Sequence, residues 1–292
     1  MFIATLIAKE RLSGGDISAA SDALASAGIA PCGRSWIEEG RAFDLRFAAG
    51  PGAARSALEG LLPGVDVVVQ EEAWRRRRLL VADMDSTMIS VECIDELADY
   101  AGVKAEVAAV TERAMLGEVP FEAALVERVA LLAGLDESAV DRCRTERVRL
   151  TPGARALVRT MRRDGAFTLL VSGGFTRFAD PVGAEIGFDR VMANRLGAMA
   201  GRLTGTVEPP IVGAEAKRLA LLDCAAELGL DPRHALAVGD GANDVPMLQS
   251  AGLGIAYRAK PAAAAAADAS IVHNDLTALL YAQGWPSREW ER

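Results

Sequence analysis

Two spacings of apolar residues divide the chain. Between residues 1 and 74 they describe a short alternation of strands and helices. Phe2–Ala8 is an apolar run that predicts a strand, and Ile17, Ala20 and Leu24 fall on one face of a helix expected to be capped by Asp16. Phe43, Leu45 and Phe47 alternate with Asp44 and Arg46, the pattern of a half-buried strand paired with an earlier one across Glu38-Glu39-Gly40. A helix through residues 54–62, stopped by Pro63-Gly64, and a strand carrying Val65, Val67 and Val69 complete the order βαββαβ. That order is the ferredoxin-like split motif. It resembles the small amino-acid-binding modules called ACT domains.

From Leu79 the pattern changes. Leu79-Leu80-Val81-Ala82 is uniformly apolar, as is Ala235-Leu236-Ala237-Val238, and such runs predict strands of a parallel sheet covered on both faces. Between them, residues 106–116, 121–133 and 137–148 read as helices separated by Gly117, Pro120 and Gly134. A helical insertion at about 90–150, directly after the first strand, would sit over the strand ends as a cap. Strand–helix alternation resumes after Thr151-Pro152-Gly153, with a strand at 167–171, a hairpin near 201–207, a helix from Ala214 and a last strand near 253–256. The alanines at 262–267 predict a further helix. The expected fold is α/β: a ferredoxin-like α+β module over 1–74, then a doubly wound Rossmann-like parallel sheet with an inserted helical cap over 79–285.

Each of those two apolar runs ends in acids: Asp83-Met84-Asp85-Ser86-Thr87 in one case, Gly239-Asp240-Gly241-Ala242-Asn243-Asp244 in the other. Open α/β sheets bind ligands at these strand ends. Carboxylates gathered there repel one another unless a hard cation joins them, and Mg²⁺ with oxygen ligands is the natural candidate. One of Asp83 and Asp85 could then serve as nucleophile while the other handles protons. Asp240 and Asp244, four apart around two glycines, could face one metal, with Asn243 positioning a neighbour. Ser172-Gly173-Gly174 after an apolar strand could hold phosphate oxygens, and Lys217 could offset negative charge. Taken singly, each string is also compatible with an ordinary turn, a helix cap or a solvated lysine.

Composition narrows the classes further. At 292 residues and net charge −8, the chain carries no electrostatic footprint for nucleic acid or an anionic membrane. The one basic run, Arg75–Arg78, reads as a solvated linker or strand lead-in. No segment is long and apolar enough to span a bilayer, and the first residues lack a charged leader, so a cytoplasmic protein is expected. Four scattered cysteines without a C-x-x-C pair fit reduced thiols, and two histidines leave catalysis to carboxylates.

The four motifs, in this order over roughly 79–280, resemble the haloacid dehalogenase superfamily of phosphohydrolases. Glu92, the stretch from Glu112 through Phe121 to Arg128-Val129, Val171–Phe175 and Ala193-Asn194-Arg195-Leu196 are similar to its phosphoserine phosphatase family. The resemblance implies Asp83 as nucleophile and Asp85 as general acid/base. It implies Mg²⁺ held by Asp83, Asp240, Asp244 and the backbone carbonyl of Asp85. Ser172, Gly173 and Lys217 would bind the phosphoryl group, with Asn243 in support. Glu92 would meet a substrate ammonium and Arg128 a carboxylate, with Met115 and Phe121 closing over the side chain. Glu215, two residues before Lys217, departs from the uncharged polar residue common in relatives. The implied reaction is hydrolysis of phosphoserine to serine, the last step of serine biosynthesis. The alternatives are another small phosphate ester as substrate, or an amino-acid sensor with secondary hydrolysis. Ferredoxin-like modules pair through sheets or helices, which makes a homodimer an available assembly.

Overall fold

The computed structural model describes residues 1–115 and 118–292; the Met115 side chain, Leu116 and Gly117 lie outside the described residues. The chain begins with β1 (Phe2–Ala8), α1 (Gly14–Ser26), β2 (Gly33–Glu38), β3 (Ala42–Phe47), α2 (Pro51–Leu58) and β4 (Val65–Glu71). These strands form an antiparallel sheet in the order β2-β3-β1-β4. The next element is β5 (Leu79–Ala82), followed by four helices: α3 (Cys93–Ala101), α4 (Lys104–Met115), α5 (Phe121–Ala130) and α6 (Glu137–Arg147). Then come α7 (Ala154–Arg163), β6 (Phe167–Phe175), α8 (Thr176–Ile186), β7 (Arg190–Met199), β8 (Arg202–Glu208) and α9 (Ala214–Glu227). The chain closes with β9 (Ala235–Gly239), α10 (Val245–Ser250), β10 (Leu253–Tyr257), α11 (Pro261–Ala266), β11 (Ala269–Ile271) and α12 (Ala278–Ala282).

The second sheet runs β11-β10-β9-β5-β6-β7-β8, parallel except for the β7–β8 hairpin. Its central strands are apolar on both faces because both faces are covered. Leu80, Ala82, Leu170, Leu236 and Val238 belong to one core, and Leu79, Val81, Leu169, Val171, Ala235 and Ala237 to another. The chain leaves β5 toward β6 and returns on the opposite side as β9. The switch of direction therefore lies between β5 and β9, the crevice where such sheets take ligands.

The first sheet is also covered twice. Ala4, Leu6, Phe43, Leu45, Val67 and Val69 pack with α1 and α2, whereas Ile7, Ala42 and Val68 join a core of the second sheet. This corrects the expectation of a half-buried β3, since Asp44 is buried as well. Asp44 accepts from Thr5 Oγ1 at 2.8 Å and pairs with Arg75 at 2.8 Å. The basic run does lead into β5, but it is only partly solvated: Arg76 and Arg78 are exposed, Arg75 is not. Arg77 is buried, donating to the carbonyl of Arg233 and, at 2.7 Å, to Gln70 Oε1.

Local differences have local causes. The cap of α1 is Ser13, whose hydroxyl accepts from Asp16 N, while the Asp16 carboxylate accepts from Ser13 N: a capping box with Asp16 at its third position. β10 is not the last strand, because short β11 adds to its edge. β6 runs on through Ser172-Gly173-Gly174 to Phe175 across a bulge in its pairing with β7.

Asp66 on β4 ties the first sheet to the segment that follows β11. Its buried carboxylate accepts from the backbone N–H groups of Val272, His273 and Asn274 at 2.9–3.2 Å and from Asn274 Nδ2 at 2.9 Å. Asp66→Ala strands these donors without partners, and we expect a loss of about 3–4 kcal/mol. Denaturant unfolding measures it; a loss below about 0.5 kcal/mol, the level of an ordinary surface change, would contradict this role.

Candidate active site

β5 and β9 are neighbours with Ala82 beside Val238, so Asp83 and Asp240 leave the sheet side by side. Asp83 N donates to the Val238 carbonyl at 2.9 Å, which fixes where the first acid emerges. Asp244 closes a short helical turn ahead of α10 and folds its side chain back over Gly239, where a Cβ would collide with it. Its Oδ2 accepts from Asp240 N at 3.1 Å and Gly241 N at 3.0 Å. Oxygen atoms of Asp83, Asp240 and Asp244 lie within 4.8 Å of one another, and all three residues are buried.

Lys217, from α9, is fully buried, not solvated. Its Nζ lies 2.7 Å from Asp83 Oδ1 and 2.7 Å from Asp244 Oδ1. Glu215 turns away to pair with Arg218 at 2.5 Å. One ammonium among three buried carboxylates leaves excess negative charge. Burial, and after it the charge of Asp244, hold Asp83 well above the usual carboxylate range. Burial pushes Asp240 up to about 6, against the opposing pull of Lys260. Such a crowd of hard oxygen donors fits a small divalent cation. Asp83, Asp240 and Asp244 could hold one, and the Asp85 carbonyl follows on the same turn.

Asp85 begins a tight turn in which Ser86 takes φ 54°. Its Oδ1 is a buried acceptor without a hydrogen-bond partner among the described residues. Burial, then the charge of Glu92, push its carboxyl up to about 7, which leaves a proton available near neutral pH. Gly174 admits Asp85: a Cβ there would sit 2.8 Å from Asp85 Oδ2. Ser172 is buried beside it and accepts from Gly174 N at 2.9 Å. A Cβ on Gly173 would lie 3.1 Å from Phe121 Cζ and 3.7 Å from Asn243 Nδ2, so both side chains border this glycine. Phe121 opens α5 and reaches the strand end from the helical insertion.

Glu92, just before α3, accepts from Ser86 Oγ at 2.8 Å. Arg128 on α5 donates to the Ala124 carbonyl at 3.2 Å and to Thr111 Oγ1 at 3.4 Å. Burial lowers the pKa of Arg128, while the charges of Asp95, Glu92 and Asp85 oppose the fall. The acid and the guanidinium thus share one charged rim. The expected contact of Met115 lies outside the described residues.

Several participants were not anticipated. Lys260 Nζ lies 3.6 Å from Glu92 Oε1 and 3.5 Å from Asp240 Oδ2. Thr87 Oγ1 donates to Asp240 Oδ1 at 3.4 Å. Asn194 donates to the Gly173 carbonyl at 2.8 Å and accepts from Val212 N at 2.7 Å, bracing the phosphate-loop candidate. The signal for Lys260 is its place just beyond an apolar strand, on the same edge as Asp240.

A cation should stabilise this protein in a pH-dependent way. Acids raised in the folded state bind more protons than the unfolded chain, so the metal-free protein loses stability as pH rises from about 4 through 6 to 7. Mg²⁺ opposes that loss. Its thermal stabilisation should be larger at pH 7.5 than at pH 5, on the order of 2–3 kcal/mol at a hundredfold excess over its dissociation constant. Equal shifts at both pH values would contradict the acid cluster as its site.

Residues 80–249 match the model of the haloacid dehalogenase-like hydrolases. A phosphoserine phosphatase of Mycobacterium tuberculosis is 47% identical over 222 residues, 75% of this chain and 54% of that protein. The chain thus spans just over half the length of that relative. A probable phosphoserine phosphatase from Vibrio cholerae, solved without ligand, superposes with a TM-score of 0.77 at 32% identity, over 97% of this chain and 85% of that one. A phosphoserine phosphatase solved as a phospho-aspartyl intermediate analogue superposes with a TM-score of 0.66 at 38% identity, over 70% of this chain and 98% of that one.

Proposed function

The chain belongs to the haloacid dehalogenase-like hydrolase family, and from that premise we propose that it hydrolyses O-phospho-L-serine to L-serine and phosphate through a phosphoaspartate at Asp83. The observation that carries this reading is the meeting of a buried acid trio, two of whose members pair with Lys217, with a rim bearing both Glu92 and Arg128. Phosphoserine is a dianionic phosphate with an ammonium and a carboxylate. It needs cations at one end and one charge of each sign at the other. The relatives named above as phosphoserine phosphatases support the same substrate.

An Asp83 oxygen attacks phosphorus as the P–O bond to the serine side chain breaks, and Asp85 gives its proton to the departing alkoxide. Asp85, now a carboxylate, takes a proton from the water that attacks the phosphoaspartate, and Asp83 leaves regenerated. Lys217 and the amides near Gly173 offset charge on the phosphoryl oxygens. Mg²⁺, held by Asp83, Asp240, Asp244 and the Asp85 carbonyl, would neutralise the charge between nucleophile and phosphate. Phe121, bordering Gly173, would close over the substrate side chain, the role the resemblance also assigns to Met115.

The sheet order β2-β3-β1-β4 supports reading residues 1–74 as a ferredoxin-like, ACT-like module. Its edge strand β2 suits pairing in a homodimer. No helix among the described residues is long and apolar enough to cross a membrane, in keeping with work in the cytoplasm.

The test is phosphate release from L-phosphoserine, phosphoethanolamine and phosphoglycolate, with Mg²⁺ and with chelator. We expect a preference for L-phosphoserine that chelator removes. Equal turnover of the ester lacking a carboxylate would refute the substrate assignment.

A further inference from the structure

Lys260 has no part in the mechanism above, yet its ammonium lies between Glu92 and Asp240, at 3.6 and 3.5 Å. Its backbone is fixed: Lys260 N donates to the Asp240 carbonyl at 2.9 Å, and Pro261 opens α11 directly after it. Its side chain is 54% exposed, so its ammonium can be solvated when it leaves Glu92. Glu92 is the stationary partner, held at 2.8 Å by the hydroxyl of Ser86. The charges around Glu92 are Asp85, Asp95, Arg128 and Lys260, with Asp240 on the far side of Lys260. Lys217 also acts on Asp85 and Asp240, and Lys104 on Asp95, but Lys260 is the ammonium that reaches Glu92 itself.

We propose that Lys260 is a specificity-determining residue, an internal ammonium that occupies Glu92 in the empty site and yields it to a ligand bringing an ammonium of its own. This rests on the assignment of Glu92 to the substrate ammonium. An amino-bearing ester replaces one cation on Glu92 with another and releases Lys260. An ester without an amine leaves Lys260 in place, and Lys260 then shields that anion from Glu92. The product matters equally. L-serine keeps the ammonium that the ester had, so the return of Lys260 to Glu92 displaces it.

Removing the charge should therefore move two substrates in opposite directions. With Mg²⁺ present, Lys260→Met should lower KM for L-phosphoserine and the inhibition constant of L-serine by about threefold to fivefold, the scale of a half-exposed ion pair. It should raise KM for phosphoglycolate by a similar factor. Lys260→Arg keeps the charge and should keep the wild-type pattern. Thermal shifts with L-serine give the same comparison without turnover, and Lys260→Met should show the larger shift. A rise of KM for both esters alike would make Lys260 a plain counter-charge for phosphate and overturn the proposal. Unchanged constants for both would overturn it too. A wild-type enzyme inactive on L-phosphoserine would instead refute the phosphoserine reading itself, before any variant is compared.

Discussion

Asparagine at position 83 is expected to reduce turnover of L-phosphoserine at least 10⁴-fold, the scale on which removing a nucleophile acts. The amide is nearly isosteric with the carboxylate, so packing at the end of β5 is kept. Lys217 retains Asp244 at 2.7 Å and stays in place. What disappears is the oxygen nucleophile and one of three crowded negative charges. The variant should consequently be more stable than wild type without metal, and less stabilised by Mg²⁺. Steady-state phosphate release and thermal unfolding with and without Mg²⁺ check both parts. Turnover within tenfold of wild type would move the nucleophile elsewhere.

Asparagine at position 85 should slow turnover by about 10²–10⁴, the usual worth of a positioned acid/base. Mg²⁺ binding should survive, because the backbone carbonyl assigned to the metal is unchanged. The pH profile separates this role from a structural one. The first step needs Asp85 protonated, and burial with Glu92 pushes its carboxyl up to about 7. Wild-type kcat/KM should then fall as pH rises through about 7, and that limb should vanish in Asp85→Asn. Near-normal turnover, or an unchanged alkaline limb, would remove Asp85 from proton transfer.

The acids were legible in the sequence because each follows an apolar run short enough to be only a strand. A strand end in an α/β sheet leaves little choice of location. Lys217 was legible through the family resemblance alone: taken singly, one lysine near a helix start looks solvated until β5 and β9 are placed beside α9. Arg75 and Arg77 misled for the same reason. A run of arginines reads as wet, yet the first sheet docks on the second and buries Asp44 and Gln70 as partners of Arg75 and Arg77. Strand alternation failed at β3 because it presumes one solvated face. At α1, Asp16 and Ser13 both suit a cap, and the reciprocal bonds settle which residue stands where. Lys260 had its place just beyond an apolar strand as a signal, but its two partners lie on separate elements and only the fold brings them together.

The most direct test of the account is a rapid-quench reaction of the wild-type protein with phosphate-labelled L-phosphoserine and Mg²⁺, followed by peptide mapping. We expect an acid-stable, hydroxylamine-labile label on Asp83 that forms before free phosphate and is chased into it by unlabelled substrate. Label on another residue, or phosphate formed at full rate with no labelled protein, would contradict it.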